Sequence, residues 1–61
     1  MKRILFVDDE ARILGGLQRM LRPLRDRWDM VFAPGGPAAL QELAHGPFDV
    51  VVSDMRMPEV D

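Results

Sequence analysis

The chain has 61 residues, 48% hydrophobic and 30% charged, with a net charge of −2 and no cysteine. Sixty-one residues make at most one small domain, the lack of cysteine excludes a disulfide framework and a thiolate metal site, and the charge argues against a general nucleic-acid binder. No apolar run approaches the ~18–20 residues of a membrane span, and only four apolar residues separate Met1-Lys2-Arg3 from Asp8, so a cytoplasmic protein with neither direct nucleic-acid nor membrane binding is expected.

Residues 2–7 read as a first strand, built on the apolar run Ile4-Leu5-Phe6-Val7 and closed by Asp8-Asp9. Such short β-branched runs have the composition of a strand buried on both faces. From Ala11 the period changes to that of a helix, with Ile13, Leu14, Leu17, Met20, Leu21 and Leu24 on one face. Asp8 or Asp9 is expected to cap it, and Glu10 to sit in its first turn. Pro23 should stop or kink the helix near Arg22.

Trp28 to Ala33 reads as a second strand, followed by Pro34-Gly35-Gly36. Pro37 suits the first turn of a second helix with apolar positions Ala38, Ala39, Leu40, Leu43 and Ala44, ending at His45-Gly46-Pro47. Phe48 to Ser53 is a third strand of the same buried type, closed by Asp54, and residues 55–61 read as a loop. The order βαβαβ implies a parallel sheet. Right-handed crossovers give strand order 2-1-3 with the helices on opposite faces.

Strands one and three then lie side by side, and Asp8, Asp9 and Asp54 meet outside their C-terminal ends, where open α/β sheets hold their ligands. Three close carboxylates repel one another, and a hard divalent cation relieves that repulsion. Oxygen-only ligation suits Mg²⁺ better than Zn²⁺. Mg²⁺ uses one or two carboxylates, which leaves one to act as a nucleophile on a phosphoryl group. The bland alternative is that aspartates after strands are turn residues and helix caps.

The runs Ile4-Leu5-Phe6-Val7-Asp8-Asp9-Glu10 and Val50-Val51-Val52-Ser53-Asp54-Met55-Arg56-Met57-Pro58-Glu59-Val60-Asp61, and the spacing between them, resemble the first and third strands of bacterial response-regulator receiver domains. Residues Ala33 to Leu40 resemble the family's passage from second strand to second helix. The resemblance implies a flavodoxin-like α/β fold, with Asp54 as phosphoacceptor for a histidine kinase's phosphohistidine. It implies Mg²⁺ held by Asp8, Asp9, Asp54 and the backbone carbonyl of Arg56, with Pro58 shaping the following loop.

Receiver domains of this family have about twice this length, with two further strands carrying a hydroxyl residue and a lysine that contact the phosphoryl group. Residues 1–61 are therefore expected to be the N-terminal half of a receiver, lacking the switch. Its third strand would be an open edge exposing Val50, Val51 and Val52, repaired by homodimerisation or swapping.

The rival readings are a Mg²⁺-dependent α/β phosphohydrolase and a receiver fragment that only folds or oligomerises. The first would want a second acid two residues beyond the nucleophile, where this chain has Arg56, so an enzyme is not expected. Elsewhere, Arg12, Arg19, Arg22, Arg25 and Arg27 face the single Asp26, a local balance of +4. They read as a solvated helix face or a docking surface for an acidic partner helix. His45 reads as a helix-end residue, Trp28 as packing at the entrance of strand two, and Gly35-Gly36 as a turn. Met57 is expected to pack inward, and the Arg56 side chain to meet phosphate or lie at the surface.

Overall fold

The computed structural model describes residues 1–53. In chain order these form β1 (Lys2–Val7), α1 (Ala11–Leu21), a 3₁₀ turn (Arg22–Leu24), β2 (Trp28–Ala33), α2 (Gly36–His45) and β3 (Val50–Ser53). The three strands make one parallel sheet in the order β2-β1-β3, as the βαβαβ pattern requires. Pairing runs from Lys2 opposite Trp28 to Val7 opposite Ala33, and from Ile4 opposite Val50 to Val7 opposite Ser53.

The period of two along β1 splits the core between the faces. Ile4 and Phe6 join Leu14 of α1, with Leu17, Leu21, Trp28, Met30 and Phe32 packed around them. Leu5 and Val7 join Ala33 and Ala39 of α2, with Val31, Ala38 and Phe48. The helices thus lie on opposite faces, as expected. Phe6 and Phe32, directly paired across the ladder, stack with ring centroids 4.9 Å apart. Such a pair contributes about 0.5–1.5 kcal/mol beyond its burial.

The apolar face of α1 is narrower than its spacing suggests. Leu14, Leu17 and Leu21 form the packed stripe, while Ile13 and Met20 are exposed. Those two are seven residues apart and lie on one flank, roughly 80° round from the stripe at 100° per residue. The helix stops at Leu21, and Pro23 sits inside the tight 3₁₀ turn. The proline has no N–H to donate and its ring cannot enter a helix interior, so the expected stop near Arg22 is observed.

The start of α1 differs from expectation. Glu10 is itself the N-cap, its backbone extended and its carbonyl accepting the Leu14 N–H at 3.1 Å. No side chain caps the helix; Asp8 instead accepts the Glu10 N–H on Oδ1 at 2.9 Å. The aspartate folds the chain out of the sheet one step before the helix begins, a local Asx contact.

In α2, Gly35 holds φ at 103° and its carbonyl accepts the Ala39 N–H. That backbone region favours glycine. Pro37 occupies the first turn, and the helix ends at His45 before Gly46. His45 donates from Nδ1 to the Gln41 carbonyl at 2.8 Å, the helix-end role expected of it. Of the predicted apolar positions only Ala39 is buried and Ala38 partly so; Leu40 and Leu43 are exposed. Alanines let the helix lie close to the sheet, and nothing among the described residues covers its outer leucines.

β3 starts at Val50, two residues later than the composition suggests. Asp49 accepts the Arg3 N–H on its carboxylate at 2.8 Å and donates its own N–H to the Arg3 carbonyl at 2.8 Å. The side chain has replaced the ladder there. Phe48 lies beneath the Arg3 guanidinium, 4.4 Å from ring centroid to charge. All four residues of β3 are exposed, in contrast to the buried type its composition resembles, and in keeping with the open edge expected of Val50, Val51 and Val52.

Candidate functional site

Because β1 and β3 are parallel neighbours and Val7 stands opposite Ser53, both strands finish at the same edge. Asp8 is the first residue beyond β1. Its N–H bonds the Ala33 carbonyl at 3.2 Å, which ties it to the end of β2 as well. It is 8% exposed, the only buried charged residue among those described. Oδ1 is held by the Glu10 N–H, and Oδ2 meets no donor among the described residues. Asp9 is exposed. Neither makes an ion pair with a described residue.

The Asp8 carboxylate is thus held in place by a hydrogen bond on one oxygen, with no basic partner among the described residues. Asp8 and the exposed Asp9 beside it are hard oxygen donors, whose chemistry suits Mg²⁺ rather than a softer metal. Among the described residues no three acidic or imidazole side chains converge closely enough to hold an ion. The remaining expected ligands, Asp54 and the carbonyl of Arg56, lie outside the described residues, as do Met55, Met57 and Pro58.

His45 is engaged at the far end of α2 and takes no part in the acidic edge. Trp28 packs against the Ile4-Phe6-Leu14 cluster, as expected of a residue at the entrance of β2. Gly35-Gly36 forms the turn into α2.

Reading the sequence missed the role of Arg3. Its Nε donates to Asp29 Oδ2 at 3.1 Å, its Nη1 donates to the Pro47 carbonyl at 3.2 Å, and its guanidinium covers Phe48. With the two Asp49 contacts, this one residue joins β1, β2 and the entry to β3 at the N-terminal end of the sheet. The signal was present: once the strands are aligned, Arg3 falls opposite Asp29. Opposite charges across a ladder pair favourably.

No helix among the described residues is long and apolar enough to cross a membrane. A family model described as the response regulator receiver domain matches residues 4–61. No curated protein and no solved structure matches the chain. Receiver domains serve as phosphoacceptors in two-component signalling, generally without enzymatic turnover of their own, and generally bind Mg²⁺. Since the match begins inside β1 and runs on through both helices and the other two strands to the last residue, the chain belongs to the response regulator receiver domain family.

Proposed function

We propose that Asp54 accepts a phosphoryl group from the phosphohistidine of a histidine kinase, in the cytoplasm, and that Asp8, Asp9, Asp54 and the backbone carbonyl of Arg56 hold Mg²⁺. The observation that supports this reading most is the parallel pairing of Val7 with Ser53. It brings buried Asp8 to the edge at which β3 ends, and residue 54 follows Ser53 by one Cα step of ~3.8 Å.

In the proposed transfer a carboxylate oxygen of Asp54 attacks phosphorus in line with the phosphohistidine P–N bond. The P–O bond forms as the P–N bond breaks, and the imidazole nitrogen recovers the electron pair. When bound, the cation offsets negative charge on the transferring group. The chain's part is to hold the Asp8 carboxylate in place. The Glu10 N–H fixes Asp8 Oδ1, and the Ala33 carbonyl fixes the Asp8 backbone. Such preorganisation spares reorganisation as charge moves.

The test is incubation of the chain with acetyl phosphate and Mg²⁺, followed by intact-mass measurement and a phosphate-release assay. A single phosphoryl adduct, lost completely in Asp54→Asn, is the expected result. Continuous phosphate release without an adduct would instead favour the Mg²⁺-dependent phosphohydrolase. No reaction would leave a domain that only folds or oligomerises.

The exposure of all four β3 residues supports one further partner, a second copy of the chain paired along that edge. Sedimentation equilibrium tests it: a monomer at all concentrations rejects the pairing.

A further inference from the structure

A cleft of about 310 Å³ opens between the C-terminal part of α1, the 3₁₀ turn and β2. It begins at Trp28, opposite Lys2 at the end of the sheet away from Asp8, and runs along the α1 face of β2 as far as Phe32. Its apolar floor is Trp28, Met30 and Phe32, alternate residues of β2 on the α1 side, each packed against the Ile4-Phe6-Leu14 cluster.

Its polar wall is Gln18, Arg22 and Arg25. Gln18 and Arg22 are four apart, one helical turn, and so share a flank. The turn forced by Pro23 then brings Arg25 onto the same side, because residues three apart in a 3₁₀ helix eclipse one another. Neither arginine pairs with a carboxylate among the described residues. The one acidic residue at the cleft, Asp29, is bound by Arg3 at 3.1 Å. The indole N–H of Trp28 donates to no described residue, and residues 12–27 supply a local +4 that draws anions.

From this juxtaposition we infer that the cleft is a binding site for a small aromatic carboxylate. The forked guanidinium groups of Arg22 and Arg25 receive the carboxylate, the planar ring lies on Trp28 and Met30, and Gln18 borders the polar end. The volume is at the lower end of the ~300–1,000 Å³ typical of ligand pockets, which limits the ligand to one or two rings. The exposed Ile13 and Met20 lie on the opposite flank of α1, so no continuous apolar groove runs across the helix for a longer partner. This site is independent of the phosphoryl chemistry.

Titration of ¹⁵N-labelled chain with phenylacetate, phenylacetamide, acetate and a Glu-rich peptide tests it, read at the Trp28 indole N–H and the backbone amides of Gln18 and Met30. Phenylacetate is expected to give saturable shifts at these groups, while phenylacetamide and acetate do not saturate over the same range. The exposed pair Arg22→Gln and Arg25→Gln together should weaken phenylacetate by about tenfold or more, at an otherwise unchanged amide spectrum. Absent or scattered shifts, equal binding of the neutral amide, or undiminished binding by the double variant each overturn the assignment. Tighter saturation by the Glu-rich peptide also overturns it, in favour of a protein-docking surface.

Discussion

β1 and β3 are near-twins in composition and opposites in environment. Ile4-Leu5-Phe6-Val7 is buried throughout, whereas Val50-Val51-Val52-Ser53 is exposed throughout, although the two segments are hydrogen-bonded partners in register. Leu5 is fully buried; Val51, directly opposite, is 50% exposed. β-branched, apolar residues mark a strand, but burial depends on what lies on either side of it. β1 has a strand on both flanks and a helix over each face. β3 has β1 on one side and, among the described residues, nothing on the other.

The ends of the strands differ as sharply. At the N-terminal end the Arg3 side chain pairs with Asp29, and the Arg3 backbone N–H bonds the Asp49 carboxylate, which fastens the entry of β3 to β1. At the C-terminal end Asp8 and Asp9 have no counter-charge among the described residues. The first end holds the sheet together. The second leaves Asp8 and Asp9 side by side where β1 ends.

The largest contrast is expected from Asp54→Asn, which abolishes the phosphoryl adduct altogether. Next comes Leu5→Ala, for which a loss of about 2–5 kcal/mol is expected because the site is fully enclosed. In a domain this small that is most of the stability, and the urea midpoint should collapse. Arg3→Ala removes a partly exposed ion pair, a hydrogen bond and a cation–π contact, on the order of 2 kcal/mol together. Its effect should be greatest on amide exchange around Pro47-Phe48 and the facing end of β2, which lose the side-chain contacts, while the Asp49 contacts to the Arg3 backbone remain.

Asp8→Asn probes the opposite end. The amide oxygen can still accept the Glu10 N–H, so metal-free stability should fall only by the difference between a charged and a neutral acceptor, about 1–1.5 kcal/mol. Mg²⁺ affinity, read from the rise in melting temperature with added Mg²⁺, should fall by about tenfold or more. A large metal-free destabilisation would show that Asp8 is structural rather than reserved for an ion. The smallest effect is expected from Val51→Ala, under about 1 kcal/mol by chemical denaturation. If it matches Leu5→Ala, β3 is covered in solution and the two strands are equivalent after all.

Strand order, helix faces and the stop before Pro23 were all legible in the sequence, because periodicity and backbone-restricted residues act locally. The positions of Ile13, Met20, Leu40 and Leu43 were not, since helical spacing names a face without saying how much of it a neighbour covers. For the acidic edge, the strand pattern alone brought Asp8 to the end at which β3 finishes. The Asx contact to Glu10 required the actual path of the chain out of the sheet.

The sequence by itself determined that this chain folds as βαβαβ and carries aspartates where strands end, because hydrophobic period and turn chemistry are written into neighbouring residues. Only the tertiary structure decided which apolar strand is sheltered, that Arg3 joins three segments, and that Arg22 and Arg25 wall a cleft floored by Trp28. Those outcomes depend on residues far apart in the chain coming within a few ångströms, and on the directions their side chains then share.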